Sequence, residues 1–219
     1  MFILLKKYSF IFLLLTFSSL CFSWGKQGHF IIAEIAYNNL EPSAKSRIDK
    51  LFGYLNKVDG PTNFISASTW ADEIKSKKNK LFSKWHYINS PIIININKRF
   101  RVYPPNILTK TKELVAVLQN SSSSYYNQAW SLRMLIHLIG DLHQPLHAAS
   151  LYSKKFRRGD LGGLKYKVRS KYNNLHKFWD QGAGLLRFRD NQSYKRHQLR
   201  QNIIKNNKFN NPYLNASIE

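Results

Sequence analysis

The sequence predicts a mainly α-helical protein of one domain. In residues 125–139 apolar side chains recur with the spacing of a buried helix, and Trp130, Met134 and His137 share one face. The chain has 219 residues, enough for one sizeable core. Because neither an internal repeat nor a domain linker is evident, we expect its elements to share that core.

Further helices are predicted before this central one. Residues 24–40 suggest a helix that is buried on most sides. Pro42 can occupy the first turn of a second helix that runs to about residue 51. Residues 64–75 predict a short third helix that carries Trp70 and Asp72, and residues 109–119 predict a fourth.

The remaining segments are more irregular. Residues 85–91 are expected to be irregular or extended, and alternating residues over 92–103 predict a small β-hairpin or a loop. A basic loop over 154–163 precedes a predicted helix over 174–180. After residue 186 the chain is polar and basic, with no recognisable helix. We therefore assign residues 24–185 to the domain and residues 186–219 to a basic tail.

Residues 1–23 have the form of a secretory signal peptide. Lys6 and Lys7 precede an apolar run that is short for a membrane span, and small Ser23 allows cleavage before Trp24. We expect a secreted or periplasmic protein; a retained N-terminal anchor is the alternative. Cys21 is the only cysteine, so any metal in the mature chain must use nitrogen and oxygen ligands.

The formal charge of the chain is +22. It falls to +20 after cleavage, because only Lys6 and Lys7 leave and the leader contains no acid. Such an excess attracts polyanions, which include nucleic acid, anionic membrane and cell-surface polysaccharide. Charge alone does not choose among these partners.

The histidines point to metal binding. His137 and Asp141 are four residues apart, so on one helix they face the same side, and Pro145 then turns the chain before His147. The alternative is a buried helix whose polar residues cluster by chance. We favour metal, because buried His and Asp side chains need partners and a cation supplies them.

The same spacing recurs at His176 and Asp180, and His29, His86 and Asp72 stand in similar contexts. Each pair alone is a weak motif. Together they indicate more than one metal ion.

Six motifs occur in order along residues 24–182. They are Trp24-Gly-x-x-Gly-His29, Trp70-Ala-Asp72, His86-Tyr-Ile-Asn89, His137-x-x-x-Asp141-x-His-Gln-Pro-Leu-His147, Gly159-Asp-x-Gly-Gly163 and Asn174-Leu-His176-x-x-Trp-Asp180. In combination they resemble the trinuclear-zinc nucleases of the S1/P1 type, which are related in fold to zinc-dependent phospholipases C. The resemblance implies a phospholipase C/P1-nuclease-like helical fold.

The resemblance also implies nine ligands around three zinc ions. One ion would take Asp72, His86, His137 and Asp141. A second, more exposed ion would take His147, His176 and Asp180. The third would take His29, a shared Asp141 and the amino nitrogen and carbonyl oxygen of Trp24. Signal-peptide cleavage would make that nitrogen a free amine.

Four residues acquire further roles from the resemblance. Asp72 would orient the nucleophile, and Lys75 stands where the family often has an arginine that neutralises the transition state. Tyr87 would stack on an unpaired base and Asn89 would hydrogen-bond its edge; core packing is the alternative for Tyr87. His143 has no ligand role.

The function implied is an exported zinc-dependent endonuclease that cleaves single-stranded RNA and DNA and leaves 5′-phosphates. It would be a monomer with no obligate protein partner and no stable membrane anchor after cleavage. The alternatives are a phospholipase C-like phosphodiesterase, or an inactive zinc- or polyanion-binding protein. The last arises because family members usually continue some tens of residues further.

Overall fold

A computed structural model describes residues 24–55, 60–77, 80–186 and 192–206. These residues form eight α-helices and two short strands, which confirms the predicted mainly helical, single-domain fold. The helices are α1 (Lys26–Asn38), α2 (Pro42–Phe52), α3 (Phe64–Ser76), α4 (Ile107–Gln119), α5 (Tyr125–Leu142), α6 (Pro145–Ala148), α7 (Leu175–Asp180) and α8 (Ser193–Asn206); the strands are β1 (Ser90–Ile93) and β2 (Ala149–Tyr152). The predicted signal peptide, residues 1–23, lies outside the described ranges. In the part of the chain that is described, no helix is both long and apolar enough to cross a bilayer.

Helix α5 is the centre of the fold. It packs against α1, α2, α3 and α4. Its N-terminal half buries Ala129 and Leu132 against Leu51 and Phe52 of α2, and its C-terminal half buries Met134 and Leu138 in a second cluster with α3 and α4. The periodicity predicted from residues 125–139 is therefore real, and it leaves a third face for His137 and Asp141.

Side-chain caps begin the helices that support this region. Ser124 accepts from the Asn127 amide at the start of α5, and Asn63 accepts from the Ser66 amide at the start of α3. Asn174 accepts from the Lys177 amide before the six-residue α7. A cap of this kind contributes about 1 kcal/mol, which matters most for a helix as short as α7.

Of the two alternatives predicted for residues 92–103, the β-hairpin is wrong, and the loop is confirmed for residues 94–103. Strand β1 runs parallel to β2, with Ser90 opposite Ala149 and Ile93 opposite Tyr152. Asn95 then takes a left-handed backbone with φ of 54°, and residues 94–103 form no strand. Alternation in the sequence predicts extended backbone, but it does not say which distant strand will pair with it.

Helix α8 lies within the stretch that the sequence assigned to a tail without a helix. Arg196 places its Nε 3.0 Å from Oε1 of Glu34 on α1, and Arg200 places its Nε 3.6 Å from Oε2 of the same carboxylate. The contact between α8 and α1 is thus partly ionic, so the sequence of α8 has no apolar stripe from which a helix could be predicted. Residues 187–191 and 207–219 of the predicted tail lie outside the described ranges.

Candidate metal centre

Three groups of His and Asp side chains converge where α1, α3, α5, α6 and α7 meet the 3₁₀ helix Ser83–His86. In each group the candidate ligand atoms all lie within 4.8 Å of one another. The groups are His29, Asp72 and His137; His86, His137 and Asp141; and His147, His176 and Asp180. The first two share His137, and we call them together the inner group. The third is the outer group.

Asp141 is the centre of the inner group. Its Oδ1 lies 3.2 Å from Nε2 of His29, and its Oδ2 lies 3.2 Å from Nε2 of His137 and 3.0 Å from Nδ1 of His86. The side chain is fully buried. Because the two oxygens face different histidines, this one carboxylate can bridge two cations.

Asp72 approaches the same point from α3. Its Oδ1 lies 3.7 Å from Nδ1 of His86 and 3.9 Å from Nε2 of His137, and it is buried without a hydrogen-bond donor. His29 reaches the group from α1 and stacks on the His137 ring, with the ring centroids 4.3 Å apart. Residues from four separate elements thus meet around Asp141.

Backbone carbonyls fix the orientation of three of the histidines. Nδ1 of His137 donates to the Ser68 carbonyl, Nδ1 of His147 to the His86 carbonyl, and Nδ1 of His176 to the Gly162 carbonyl, each at 2.6 Å. A ring that donates from Nδ1 keeps the lone pair of Nε2 for a metal, and metal-bound histidines usually have such a partner. Sequence reasoning missed these carbonyls, because any residue can supply one.

The donor set fits a divalent cation. Nδ1 of His86 and Nε2 of His137 are only 3.0 Å apart, and both face Oδ2 of Asp141. Nε2 of His147 is buried without a hydrogen-bond partner. A buried polar atom left in this way costs about 1–3 kcal/mol, and a cation removes the penalty. Nitrogen and carboxylate donors without sulfur are suitable for zinc.

Burial and mutual charge shift the pKa values in the inner group in opposite directions. Burial alone lowers the pKa of His137, but the carboxylates of Asp141 and Asp72 outweigh it and raise the pKa to about 9. Burial alone raises the pKa of Asp141, but the His137 and His147 rings hold it well below its usual range. At neutral pH and without a cation, the His137 ring is therefore protonated, and its positive charge balances the carboxylates of Asp141 and Asp72.

The outer group is as buried as the inner one. The residue exposures of His147, His176 and Asp180 are 2, 2 and 3 %. The greater exposure of an ion bound there stays a prediction. Nε2 of His176 lies 3.7 Å from Oδ1 of Asp180. Burial raises the pKa of Asp180 to about 9 and lowers that of His147 to about 4.

Gln144 holds the outer group in place, and the sequence analysis gave it no role. Its Nε2 donates to Oδ1 of Asp180 at 2.8 Å, and its Oε1 accepts from the Leu146 amide at 2.5 Å. The side chain is fully buried. It therefore links α7 to α6, which carries His147. Its place between His143 and Pro145 in the ligand-rich motif was the available signal.

His143, by contrast, is exposed and donates from Nδ1 to the Ile139 carbonyl at 2.7 Å. It lies outside all three groups. Only part of a histidine-rich segment thus enters the centre.

Trp24 lies at the edge of the outer group. The Gly25 amide donates to the Asp180 carbonyl at 2.7 Å, which brings the residue after Trp24 beside α7. A Cβ on Gly28 would lie 3.0 Å from Cβ of Trp24, so the tryptophan packs over the first turn of α1. The ligand role of its amino group stays a prediction.

Lys75, Tyr87 and Asn89 lie within three residues of the candidate ligands Asp72 and His86 along the chain. Lys75 lies one turn after Asp72 on α3, and its charge lowers the pKa of Asp180, against the larger effect of burial. Tyr87 and Asn89 are partly exposed and connect His86 to β1. The Tyr87 carbonyl accepts from the Ile107 amide at 3.1 Å, so its backbone is anchored to the start of α4. The substrate-binding roles stay predictions.

Fold and site together define a helical protein with three His/Asp groups that could hold metal ions. Comparison with known proteins is consistent with this class: the S1/P1 Nuclease family matches residues 24–217. The chain belongs to the S1/P1 nuclease family.

Individual relatives are similar at about 30 % identity. Endonuclease 4 of Arabidopsis thaliana is 32 % identical over 173 residues, which cover 72 % of this chain and 54 % of the relative. Nuclease P1 of Penicillium citrinum is 29 % identical, over 72 % of this chain and 57 % of the relative. Nuclease S1 of Aspergillus oryzae is 26 % identical, over 76 and 56 %. The chain thus spans about half the length of the curated relatives it matches.

Proposed function

We propose that this protein is a zinc-dependent endonuclease that hydrolyses single-stranded RNA and DNA and leaves 5′-phosphates. The observation that supports it most is the buried Asp141, whose two oxygens face His29 on one side and His86 and His137 on the other. The names of the relatives, which include endonucleases and nucleases, support the choice of a nucleic acid substrate.

Zinc would be held by Asp72, His86, His137 and Asp141, by His29, Asp141 and Trp24, and by His147, His176 and Asp180. Bound there, it supplies the Lewis acidity that activates water and offsets charge on a phosphate. The pKa values of His137 and Asp180, both about 9, mean that these groups release protons when a cation binds.

The chain's own side chains orient the reactants. Asp72 would hold zinc through Oδ1, which faces His86 and His137, and its other carboxylate oxygen would accept a hydrogen bond from the attacking water. Lys75, one turn along α3, supplies a positive charge for the phosphate in the transition state. A lysine provides this as a point charge, without the two-pronged geometry of arginine.

Selectivity for single strands is assigned to Tyr87 and Asn89. Both side chains are partly exposed and lie one and three residues after His86, so a base beside the metal centre can reach them. An aromatic ring stacks on any base, but only when that base is unpaired. Asn89 would donate to or accept from the exposed base edge.

Export is part of the same proposal. The family match begins at Trp24, the residue that would become the N-terminus after removal of 1–23. Its free amine would then be a zinc ligand, whereas an amide nitrogen would not. The mature protein would be secreted or periplasmic and is expected to be a monomer.

One set of assays tests the proposal. Mature protein that starts at Trp24 is given single-stranded RNA, single-stranded DNA and phosphatidylcholine, with and without a chelator. We expect chelator-sensitive release of nucleotides with 5′-phosphates, and a rate at least about a thousandfold lower from an Asp141→Asn variant. Release of choline phosphate instead would identify a phospholipase C-like enzyme. Tight zinc binding without turnover of any substrate would refute the enzymatic proposal.

A further inference from the structure

Three basic segments that are distant in sequence meet beside the outer group. Residues 98–101, 154–158 and 165–169 carry ten Lys and Arg side chains, and all ten are exposed. These segments contain no acidic residue. The ion pairs of Lys and Arg in the described part of the chain join other residues, so none of these ten cations is neutralised by a carboxylate there.

Aromatic contacts join the segments into one surface. The rings of Phe100 and Tyr152 lie 3.8 Å apart, and those of Phe156 and Tyr166 lie 6.1 Å apart. Nζ of Lys155 lies 5.2 Å from the centroid of Phe156 and 6.0 Å from that of Tyr166. We call residues 98–101, 152–158 and 165–169 the basic–aromatic surface.

A buried carboxylate fixes the loop that carries the densest cations. Oδ1 of Asp160 accepts from Oγ of Ser150 at 3.0 Å and from the Leu151 amide at 2.9 Å. The Gly159 amide donates to the Phe156 carbonyl at 3.0 Å. The 154–158 loop is thus tied to β2 at both ends, and its Lys and Arg side chains are held close together against their mutual repulsion.

The surface is continuous with the metal centre. The Ile88 amide donates to the His147 carbonyl at 2.7 Å, so β1 and β2 both leave the centre side by side. Four residues of strand extend about 13 Å and end at Tyr152. On the other side, the Tyr166 carbonyl accepts at 2.9 Å from the amide of Leu175, the residue before His176.

We propose that the basic–aromatic surface is an exosite for the phosphodiester backbone of single-stranded nucleic acid. It would bind nucleotides beyond those held at the metal centre, and it rests on the proposed endonuclease function. Exposed cations neutralise backbone phosphates, and the half-exposed ring of Tyr166 offers a face for a base. The protein should therefore prefer long strands to dinucleotides, and this preference should disappear at high salt, because salt weakens the phosphate contacts.

An anionic membrane is the competing partner. Ile92, Ile93 and Ile94 are exposed next to this surface and could contact lipid. Nucleic acid is favoured because the surface leads to the metal centre of a nuclease-family chain and pairs its cations with aromatic rings. The experiment must therefore separate the two.

The test compares charge removal on and off the surface. One variant carries Lys98→Gln, Arg99→Gln and Arg101→Gln; a second carries Lys154→Gln, Lys155→Gln, Arg157→Gln and Arg158→Gln. The control removes the exposed cations Lys50, Lys112 and Lys195, each to Gln, and so matches the charge change of the first variant. Zinc-loaded proteins are assayed on a dinucleotide and on a strand of about 12 nucleotides.

We expect each surface variant to raise KM for the long strand about tenfold or more, with kcat and the dinucleotide rate within twofold of the parent. Loss of three phosphate contacts makes the slope of log affinity against log salt less negative by up to about 2. The control should behave as the parent. Equal KM and an equal salt slope in all proteins would overturn the exosite. A near-zero salt slope in the parent protein alone would overturn it as well.

A binding measurement separates this proposal from the proposed function. Fluorescence anisotropy of a labelled phosphorothioate strand reports binding without turnover, and vesicles with anionic lipid are tested alongside. Binding of the strand that depends on the surface, without any cleavage of ordinary strands, would support the exosite and refute the endonuclease. Binding of vesicles through the surface without binding of the strand would overturn the exosite.

Discussion

The inner and outer groups have similar donors but are supported in different ways. Four of the five inner side chains, His29, Asp72, His137 and Asp141, project from α1, α3 and α5, helices of 13 to 18 residues with apolar faces in the core. The fifth, His86, lies on the four-residue 3₁₀ helix Ser83–His86. His147 and His176 project from α6 and α7, which have four and six residues. Long helices position their ligands through packing, whereas the short ones depend on individual hydrogen bonds.

This difference predicts how each group fails. In the inner group, the many apolar contacts of the long helices share the effect of any one packing change. The Asp141 carboxylate is the one side chain there whose loss should release zinc. In the outer group, single carbonyls and the Gln144 amide carry the geometry. Variants should therefore separate the two groups in their zinc content.

Asp141→Asn should have the largest effect. The amide lacks the charge to bridge two cations, so we expect loss of zinc from the inner group and a rate at least about a thousandfold lower, or roughly 4 kcal/mol. Elemental analysis and turnover measure both. Asp49→Asn, an exposed carboxylate that accepts from Tyr37, is the control. Full zinc content in Asp141→Asn would contradict the bridging role.

His176→Ala should remove only the outer zinc. We expect one ion fewer per chain and a rate about a hundredfold lower, since the inner group keeps its donors. His143→Ala is the matched control, because that ring is exposed and outside every group. It should change stability by less than about 0.5 kcal/mol. Equal zinc loss in both variants would show that the histidines were assigned wrongly.

Two glycine substitutions compare the groups through their backbones. Gly162 has φ of 59°, and a Cβ there would collide with the Leu146 carbonyl oxygen. Gly162→Ala should cost about 2–3 kcal/mol of unfolding free energy and loosen the outer zinc. Gly140→Ala places a Cβ 2.8 Å from Nδ1 of His29, in a helix that favours alanine.

Gly140→Ala should therefore leave the melting temperature nearly unchanged while it lowers inner zinc affinity. Chemical denaturation and zinc titration of the two proteins give both quantities. The comparison fails if Gly162→Ala releases inner zinc first, or if Gly140→Ala destabilises the fold more than Gly162→Ala does.

Gln144→Ala should have the smallest effect. It removes the donor to Asp180 but no ligand, so we expect outer zinc affinity to fall about 10- to 100-fold. Competition with a chromogenic chelator measures it. Arg47, whose Nη2 donates to Gln128 far from the centre, provides an Arg47→Ala control. No change in affinity for Gln144→Ala would show that packing alone positions Asp180.

The sequence predicted what is local. The period of residues 125–139 and the four-residue spacing of His137 and Asp141 fix both side chains on one helix face, and α5 confirms the helix. That His29 reaches Asp141 across more than 100 residues followed from family resemblance, because spacing along the chain carries no such information.

The remainder depended on contacts that leave little trace in sequence. The pairing of β1 with β2 joins segments about 60 residues apart, and the ion pairs of Glu34 support a helix with no apolar stripe. The Ser68 and Gly162 carbonyls that orient histidines belong to the backbone. Such features are visible only after folding has brought the segments together.

The most direct test is the anomalous diffraction of zinc in crystals of the mature chain that starts at Trp24. We expect three peaks. Two should lie about 2.0–2.2 Å from the two oxygens of Asp141, one on the His29 side and one on the His86 side, and the third between His147, His176 and Asp180. A single peak, or none between Asp141 and His29, would contradict the bridging role of Asp141.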